Sequence, residues 1–295
     1  MARPLAIVAD DYGIGRDTSR GILDLALDGV ITGSVMIVNC NDAEKASREW
    51  LDSAPQADLG WHPNLTLDRP ILSAHLVPSL VRPDGTFWPL SKFLARACLG
   101  KILLEHVIAE WQAQYRRFVQ LIGRPPALVN SHQHVSLFPP CDSALLKVFG
   151  SENARPYLRR VVERAPVIAK IPGARIKRTV LSLLGRRAAR RAAAYGLPGC
   201  DWLAGVTNHE YVADERFWHR WLGHIGPKGS VEICCHPGNP DESLIGRDCD
   251  AGVGLLRRPR ETALMRLPSF KEAQHRAGLK PVRPSALHAW KMGAT

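Results

Sequence analysis

Residues 5–13 read LAIVADDYG, an apolar run that stops at two aspartates and is followed shortly by a glycine. An unbroken apolar run of this length is typical of a strand buried on both faces, and Gly13 predicts a loop after it. In parallel α/β folds, functional sites lie at the carboxyl ends of strands. The segment therefore predicts the fold class, and it also predicts where polar side chains with a chemical role should lie.

The same pattern of strand, polar loop and helix recurs along the chain. Further strands are predicted at Ser34–Val38, Leu59–Trp61, Leu128–Asn130 and Val231–Cys235. Apolar residues recur at spacings of three and four across Lys101–Ile122, which predicts a long helix there, and Thr18 is predicted to cap an earlier one. This alternation predicts a mostly parallel α/β architecture.

The bulk composition favours one domain spanning residues 1–295. The chain is 45% hydrophobic, which is enough for one large core. After Met1 the apolar stretch is only about six residues long, too short for a signal-peptide core or a membrane span. The seven cysteines are odd in number and form no Cys-x-x-Cys pair. A reduced, cytoplasmic protein is therefore expected.

The basic character of the chain is concentrated in one segment. The formal net charge is +11, and Arg155–Arg191 holds twelve Lys/Arg against the single acid Glu163. We predict that residues 155–199 form a basic inserted or capping helical segment, since apolar residues recur there at helical spacing. A solvated helix face, a rim for an anionic or lipid-carried substrate, and peripheral membrane contact all remain open for it.

Asp10 and Asp11 are the first candidates for chemistry, because they follow a buried strand directly. Adjacent strand residues point to opposite faces, so both carboxylates can share a site only if the backbone bends. Gly13 and Gly15 would permit such a bend. Taken alone, the pair is equally compatible with an ordinary turn.

Histidines follow three of the predicted strands. His132 and His134 lie two residues apart and would point to the same side of an extended segment, while His62 and His236 each precede a proline. Imidazole suits zinc and other transition metals. One carboxylate and two histidines with open positions for water form a usual catalytic metal site, and a spare carboxylate such as Asp10 can take a proton from the water.

Four short stretches carry these residues: VADDYG at 8–13, GWHPNLT at 60–66, NSHQHV at 130–135 and CHPG at 235–238. They resemble the motifs of the YdjC-like carbohydrate deacetylases, the family that includes chitooligosaccharide deacetylase and the hopanoid-associated deacetylases. The four motifs occur in the family's order over nearly the whole chain. The resemblance implies an α/β fold of the (β/α) barrel type, distorted or seven-stranded, related to other sugar deacetylase barrels.

The resemblance also implies a separate role for each residue of the site. Asp11, His62 and His132 would bind one divalent metal ion, either zinc or magnesium. Asp10 would be the general base for a metal-bound water, and His236 would be the general acid. The activity implied is the removal of an acetyl group from an N-acetylated sugar, which could be an oligosaccharide or a lipid-linked sugar.

Substrate contacts are expected, on the same resemblance, from His134, Asn64 and Tyr12. His134 could instead orient the metal ligands. Two positions depart from the family pattern, since Asn130 replaces a usual aspartate and Ser136 replaces a usual final histidine. These departures leave the substrate range and the metal affinity open.

Two other functions are compatible with the sequence. Another metal-dependent ester or phosphoester hydrolase could use the same ligands. A non-catalytic protein could bind nucleic acid through the basic segment, although single-stranded RNA binders usually add aromatic platforms, and Tyr157 and Tyr195 only flank this segment. We therefore expect no nucleic-acid partner, and the sequence leaves a homo-oligomer open.

Overall fold

The computed structural model describes residues 2–208, 211–212 and 214–287. Within these ranges all strands belong to one parallel sheet. The strands are β1 (Arg3–Tyr12), β2 (Gly33–Met36), β3 (Asp58–Trp61), β4 (Leu128–Val129), β5 (Tyr157–Leu158), β6 (Trp202–Ala204), β7 (Val231–Cys235) and β8 (Leu279–Pro281). Seven follow the order β5-β4-β3-β2-β1-β7-β6, and β8 pairs with the first residues of β1.

The strand β1 is central in this sheet. It pairs with β2, β7 and β8, and its residues from Pro4 onward are buried. Burial on both faces explains the unbroken apolar run of its sequence. The predicted strand at Leu5–Ala9 is confirmed but continues to Tyr12, so that both aspartates lie inside the strand.

The sheet is curled. Arg159, the residue after β5, approaches Asp10 of β1 to 2.6 Å. These strands are four positions apart, which in a flat sheet would separate them by roughly 19 Å at about 4.8 Å per strand. The predicted α/β barrel class is confirmed as a seven-stranded, incompletely closed barrel, in which β5 and β6 are the edges of the described sheet.

Helices flank the sheet. They are α1 (Arg16–Leu27), α2 (Ala43–Ser53), α3 (Leu90–Cys98), α4 (Leu104–Ile122), α5 (Cys141–Ser151), α6 (Ala165–Lys170), α7 (Arg175–Ala194), α8 (Phe217–His224), α9 (Arg257–Arg266) and α10 (Pro268–Arg276). The predicted long helix corresponds to α4, whose periodic apolar residues are buried. None of the helices in the described ranges is long and apolar enough to cross a membrane.

The start of α1 differs from the prediction. The helix begins at Arg16 after Gly15, so Thr18 lies inside its first turn and is not the capping residue. The backbone N–H of Thr18 donates to the Asp241 carboxylate at 2.9 Å. A side chain distant in sequence therefore satisfies a free N–H group of this turn, which sequence patterns at the helix start do not reveal.

The basic segment is only partly an insertion. It contains β5, an integral strand of the sheet, before the helices α6 and α7. Two of its arginines are buried: Arg159 contacts Asp10, and Arg178 pairs with Glu163 at 2.6 Å. The prediction of one capping segment over 155–199 was therefore wrong at its start, because the two residues of β5 lie among arginines and form no apolar run.

Candidate metal centre and active site

The two aspartates of β1 share one site because the strand bends between them. The register with β2 shifts between Ala9 and Tyr12, and Asp11 has a φ of 70°. Gly13 also has a positive φ, of 83°, whereas Gly15 is extended. The predicted bend is real, but it lies at Asp11 itself and at Gly13. A positive φ at a residue other than glycine costs of order 1–3 kcal/mol and persists where the surroundings enforce it.

Asp11 lies between two histidines, as the sequence predicted. Its Oδ1 is 3.3 Å from His62 Nε2 and 3.0 Å from His132 Nδ1. One ligand atom from each of the three residues lies within 4.8 Å of the others, and all three side chains are buried. The ends of β1, β3 and β4 bring these residues together from distant parts of the chain.

The donor set fits a divalent ion. His62 Nδ1 donates to the carbonyl of Asn130 at 2.7 Å, because a carbonyl oxygen can only accept. In a neutral ring this leaves the lone pair of Nε2 facing the carboxylate of Asp11, and two lone pairs at 3.3 Å repel each other. A cation among the three groups removes that repulsion. One carboxylate and two imidazoles are typical of such a site, and the carbonyl partner fixes the tautomer of His62.

Arg258 and Asp248 hold the other side of Asp11. The Arg258 Nη2 is 2.8 Å from Asp11 Oδ2 and 2.9 Å from Asp248 Oδ2. Burial alone would raise the pKa of Asp11, but Arg258 and His132 hold it well below its usual range. Only Oδ1 therefore faces the histidines. Neither Arg258 nor Asp248 was predicted, because both lie in irregular or helical sequence with no strand-end signal.

Asp10 is held by Arg159. The Arg159 Nη1 and Nη2 atoms lie 2.6 and 2.8 Å from the two carboxylate oxygens of Asp10, and Asn130 Nδ2 adds a bond of 3.3 Å. Burial would raise the pKa of Asp10, but the guanidinium outweighs it and lowers that pKa below its ordinary value. Asp10 is thus an ionised acceptor at neutral pH.

A second carboxylate holds Arg159 in turn. Arg159 Nε donates to Glu232 Oε1 at 2.5 Å, and the hydroxyl of Tyr157 donates to Glu232 Oε2 at 2.5 Å. All these side chains are buried. Sequence analysis missed Arg159, although the rule that polar residues at strand ends form the site would have found it had β5 been recognised.

His236 lies on the same side of the site as Asp10. Its Nε2 is 3.8 Å from Asp10 Oδ2, and its side chain is 34% exposed. Burial lowers the pKa of His236 to about 4, so the ring is neutral at pH 7. The backbone N–H of His236 donates to Glu261 at 3.0 Å, and burial raises the pKa of that carboxyl to about 7.

These groups line one cavity of about 260 Å³. Its lining residues are Asp10, Asp11, His62, Ser131, His132, Gln133, His134, Lys177, Gly205, Val206, Thr207, Val212, His236, Asp248, Arg257 and Glu261. The cavity is thus shared by the six residues that the sequence analysis placed near strand ends: Asp10, Asp11, His62, His132, His134 and His236. Their convergence was expected, because the carboxyl ends of parallel strands lie at one edge of the sheet.

His134 lines this cavity but lies outside the candidate ligand cluster. The segment His132–Leu137 is a short 3₁₀ helix, in which Gln133 and His134 have positive φ values of 52° and 57°. The expectation of an extended segment with both imidazoles on one side was therefore wrong. Burial lowers the pKa of His134 well below its ordinary value, with Arg159 adding to the effect.

Tyr12 and Asn64 do not line the cavity, in contrast to their predicted role with substrate. Tyr12 is fully buried, donates its hydroxyl to the Ala46 carbonyl at 2.7 Å and packs on Trp50. Asn64 is also fully buried, and its amide closes a turn by bonding to Leu67. Both residues stabilise the fold behind the site.

The two departures from the family pattern have local explanations. The amide of Asn130 donates to Asp10, whereas an aspartate there would bring another negative charge beside the same carboxylate. Ser136 accepts a hydrogen bond from the hydroxyl of Ser131 at 2.7 Å, and its backbone N–H donates to that hydroxyl. Neither residue belongs to the candidate ligand cluster.

Comparison with known proteins identifies the family. The model of the YdjC-like protein family matches residues 4–276. The chain belongs to this family. The resemblance predicted from the four motifs is thereby confirmed.

Curated proteins similar to this chain match almost its whole length. Proteins named chitooligosaccharide deacetylase from Yersinia pestis (strain Pestoides F) and Yersinia pseudotuberculosis serotype O:1b (strain IP 31758) are each 27% identical to it over 283 residues. Each alignment covers 95% of this chain and 97% of the relative. The crystal structure of a putative cellobiose-phosphate cleavage protein from Enterococcus faecalis V583 superposes with a TM-score of 0.76 at 25% identity, covering 97% of this chain and 99% of that one.

Proposed function

We propose that this YdjC-like protein is a metal-dependent hydrolase that removes the acetyl group from an N-acetylated sugar. The observation that carries the proposal is the juxtaposition of two sets of groups in one cavity. Asp11, His62 and His132 form a candidate ligand cluster, and the ionised Asp10 lies beside it, anchored by Arg159. The names of the Yersinia relatives support the deacetylase chemistry.

Asp11, His62 and His132 would hold the ion. A zinc or magnesium ion bound there would supply a Lewis acid that polarises an amide carbonyl and a water molecule. Arg258 keeps the second oxygen of Asp11 occupied, so that this carboxylate offers one ligand atom. The imidazole donors favour zinc, while a carboxylate with several waters also admits magnesium.

Asp10 is the proposed general base. It takes the proton of the attacking water on Oδ2 as the oxygen bonds to the acetyl carbon. Arg159 keeps this carboxylate ionised and fixes its orientation, which readies it for the transfer. Its pKa is low for a general base, so the proton is held weakly and can be passed on.

His236 is the proposed general acid. Its low pKa means that it carries no proton at pH 7 before the reaction. Asp10 Oδ2 lies 3.8 Å from His236 Nε2. His236 would receive the proton from Asp10 and deliver it to the departing nitrogen. The C–N bond then breaks, giving acetate and a free amino sugar. An unprotonated amine is a poor leaving group, so this acid is required.

The deciding experiment measures acetate and phosphate release from a panel of N-acetyl sugars and sugar phosphates, with metal content determined on the same sample. We expect acetate release that depends on the bound metal. Asp10→Asn should retain the metal and lose turnover by about 10²–10⁴-fold, while Asp52→Asn on an exposed helix end serves as the matched control. Phosphate release without acetate would replace this proposal with a phosphoester hydrolase.

A further inference from the structure

The helix α7 exposes an apolar stripe to solvent. Ile176, Val180 and Leu183 are 84%, 44% and 61% exposed. They follow one another at spacings of four and three, so they lie on one face of the helix. The opposite face is the buried one, where Arg178 and Leu181 pack into the protein. An apolar face turned outward over about two helical turns indicates an interaction surface.

This stripe lies next to the mouth of the cavity. Lys177, in the first turn of α7, lines the cavity beside the candidate active site. On another segment of the rim, Arg257 also lines the cavity, and the residues before it expose Val253 at 72% and Leu256 at 44%. Exposed apolar side chains thus adjoin the opening on two separate segments.

The charge of α7 indicates what kind of partner covers the stripe. The helix contains seven Lys/Arg and no acidic residue. Arg178 and Arg191 pair with Glu163 and Asp142, but Arg187 lies at the end of the apolar stripe and Arg190 lies one turn further on, and both are exposed. An exposed apolar stripe with cations beside it is typical of helices that lie in the interface of an anionic membrane.

We propose that this face of α7, together with Val253 and Leu256, binds the surface of an anionic lipid bilayer and turns the cavity mouth toward it. The apolar side chains enter the acyl boundary, and the arginines contact lipid phosphates. A second copy of the chain fits less well, because α7 contains no acidic residue and so offers the arginines of another α7 no partner across a two-fold interface. This inference does not depend on the deacetylase activity.

Vesicle co-sedimentation of the full-length protein tests the proposal without any substrate. Vesicles of phosphatidylcholine alone are compared with equal parts of phosphatidylcholine and phosphatidylglycerol, at low and high salt. We expect binding to the anionic vesicles that weakens with salt. Ile176→Gln combined with Leu183→Gln should weaken that binding at least about tenfold, since two apolar side chains no longer enter the bilayer.

The matched control replaces two exposed leucines outside the cavity rim, Leu27→Gln with Leu99→Gln, which are 49% and 69% exposed. This control should bind like the wild type, and Arg187→Gln with Arg190→Gln should lose the preference for anionic lipid. Circular dichroism and thermal unfolding verify that each variant is folded.

No binding of the wild type at low salt, or an equal loss of binding in the control, would overturn the proposal. A dimer that the stripe variant dissociates, without vesicle binding, would assign the face to a second copy.

Discussion

Arg159 donates to both carboxylate oxygens of Asp10, at 2.6 and 2.8 Å, although it follows β5, a strand four positions away from β1 in the sheet. The same guanidinium bonds to Glu232 on the far side. One buried cation therefore pairs with two buried carboxylates and joins β5 to β1 and β7 across the curl. It links the closure of the barrel to the protonation state of the proposed base.

Removing this guanidinium should affect both stability and turnover. Arg159→Gln leaves Asp10 and Glu232 buried without a cation, and we expect a loss of about 3–5 kcal/mol in the free energy of unfolding. Urea denaturation and acetate release measure the two effects. The matched control is Arg160→Gln, because the neighbouring side chain is half-buried and donates to the Leu197 carbonyl. It should lose about 1 kcal/mol. Equal losses in the free energy of unfolding would mean that the contacts of Arg159 stabilise the protein no more than the hydrogen bond of Arg160 does.

The apolar stretches of the sequence predict the fold and the place where the candidate ligands converge. Asp11 lies near the end of β1, and His62 and His132 follow β3 and β4. The carboxyl ends of parallel strands converge at one edge of the sheet. Arg159, which bonds to Asp10, and Arg258, which bonds to Asp11, could not be predicted in this way. Arg159 follows β5, whose two residues lie among arginines and form no apolar run, and Arg258 lies in a helix of the C-terminal region, so no strand-end signal marks either one.

The positions of Tyr12 and Asn64, which do not line the cavity, have a related cause. Tyr12 and Asn64 belong to the same motifs as Asp11 and His62: Tyr12 follows Asp11 directly, and Asn64 lies two residues after His62. Adjacent residues of a strand face opposite sides, and Tyr12 accordingly points into the core against Trp50. Membership of a motif does not show in which direction a side chain points. For Tyr12, the alternation of strand residues and the bend at Asp11 decide that direction.

The candidate metal ligands can be tested with two histidines that are two residues apart. His132→Ala should lose the bound metal and, with it, acetate release, whereas His134→Ala should keep the metal because its ring lies outside the ligand cluster. Metal content by mass spectrometry after dialysis measures this directly. Chelation of the wild type should abolish activity, and added zinc or magnesium should restore it. Full metal occupancy in His132→Ala would refute the assignment.

Tyr12 and Asn64 should affect stability and leave substrate binding unchanged. Tyr12→Phe removes one buried hydrogen bond to Ala46 and should cost about 1 kcal/mol. Asn64→Ala removes the bonds that close the turn at Leu67 and should cost about 1–3 kcal/mol. Denaturation curves and KM measured side by side distinguish the roles. A raised KM with unchanged stability would restore the predicted substrate contact.

Glu261 should make the stability of the metal-free protein depend on pH. Its pKa is raised to about 7 by burial, above the value in the unfolded chain, so the folded protein holds a proton that the unfolded chain releases. Its contribution to stability is therefore complete at low pH and is lost as the pH rises toward 7. Relative to Glu261→Gln, the wild type should lose about 3 kcal/mol between pH 4 and pH 8. Urea denaturation with chelator present measures the difference, and parallel pH curves for the two proteins would contradict it.

The proposed role of His236 as general acid can be tested by varying the leaving group of the substrate. An amine must be protonated as it departs, whereas the 4-nitrophenolate of 4-nitrophenyl acetate leaves as a stable anion. His236→Gln should therefore reduce turnover of an N-acetyl sugar by about 10²–10⁴-fold and that of the ester far less. Asp10→Asn provides the comparison, because the attacking water must lose its proton with either substrate, and both activities should fall. An equal loss on amide and ester in His236→Gln would mean that the ring only positions Asp10, from 3.8 Å away, and donates no proton.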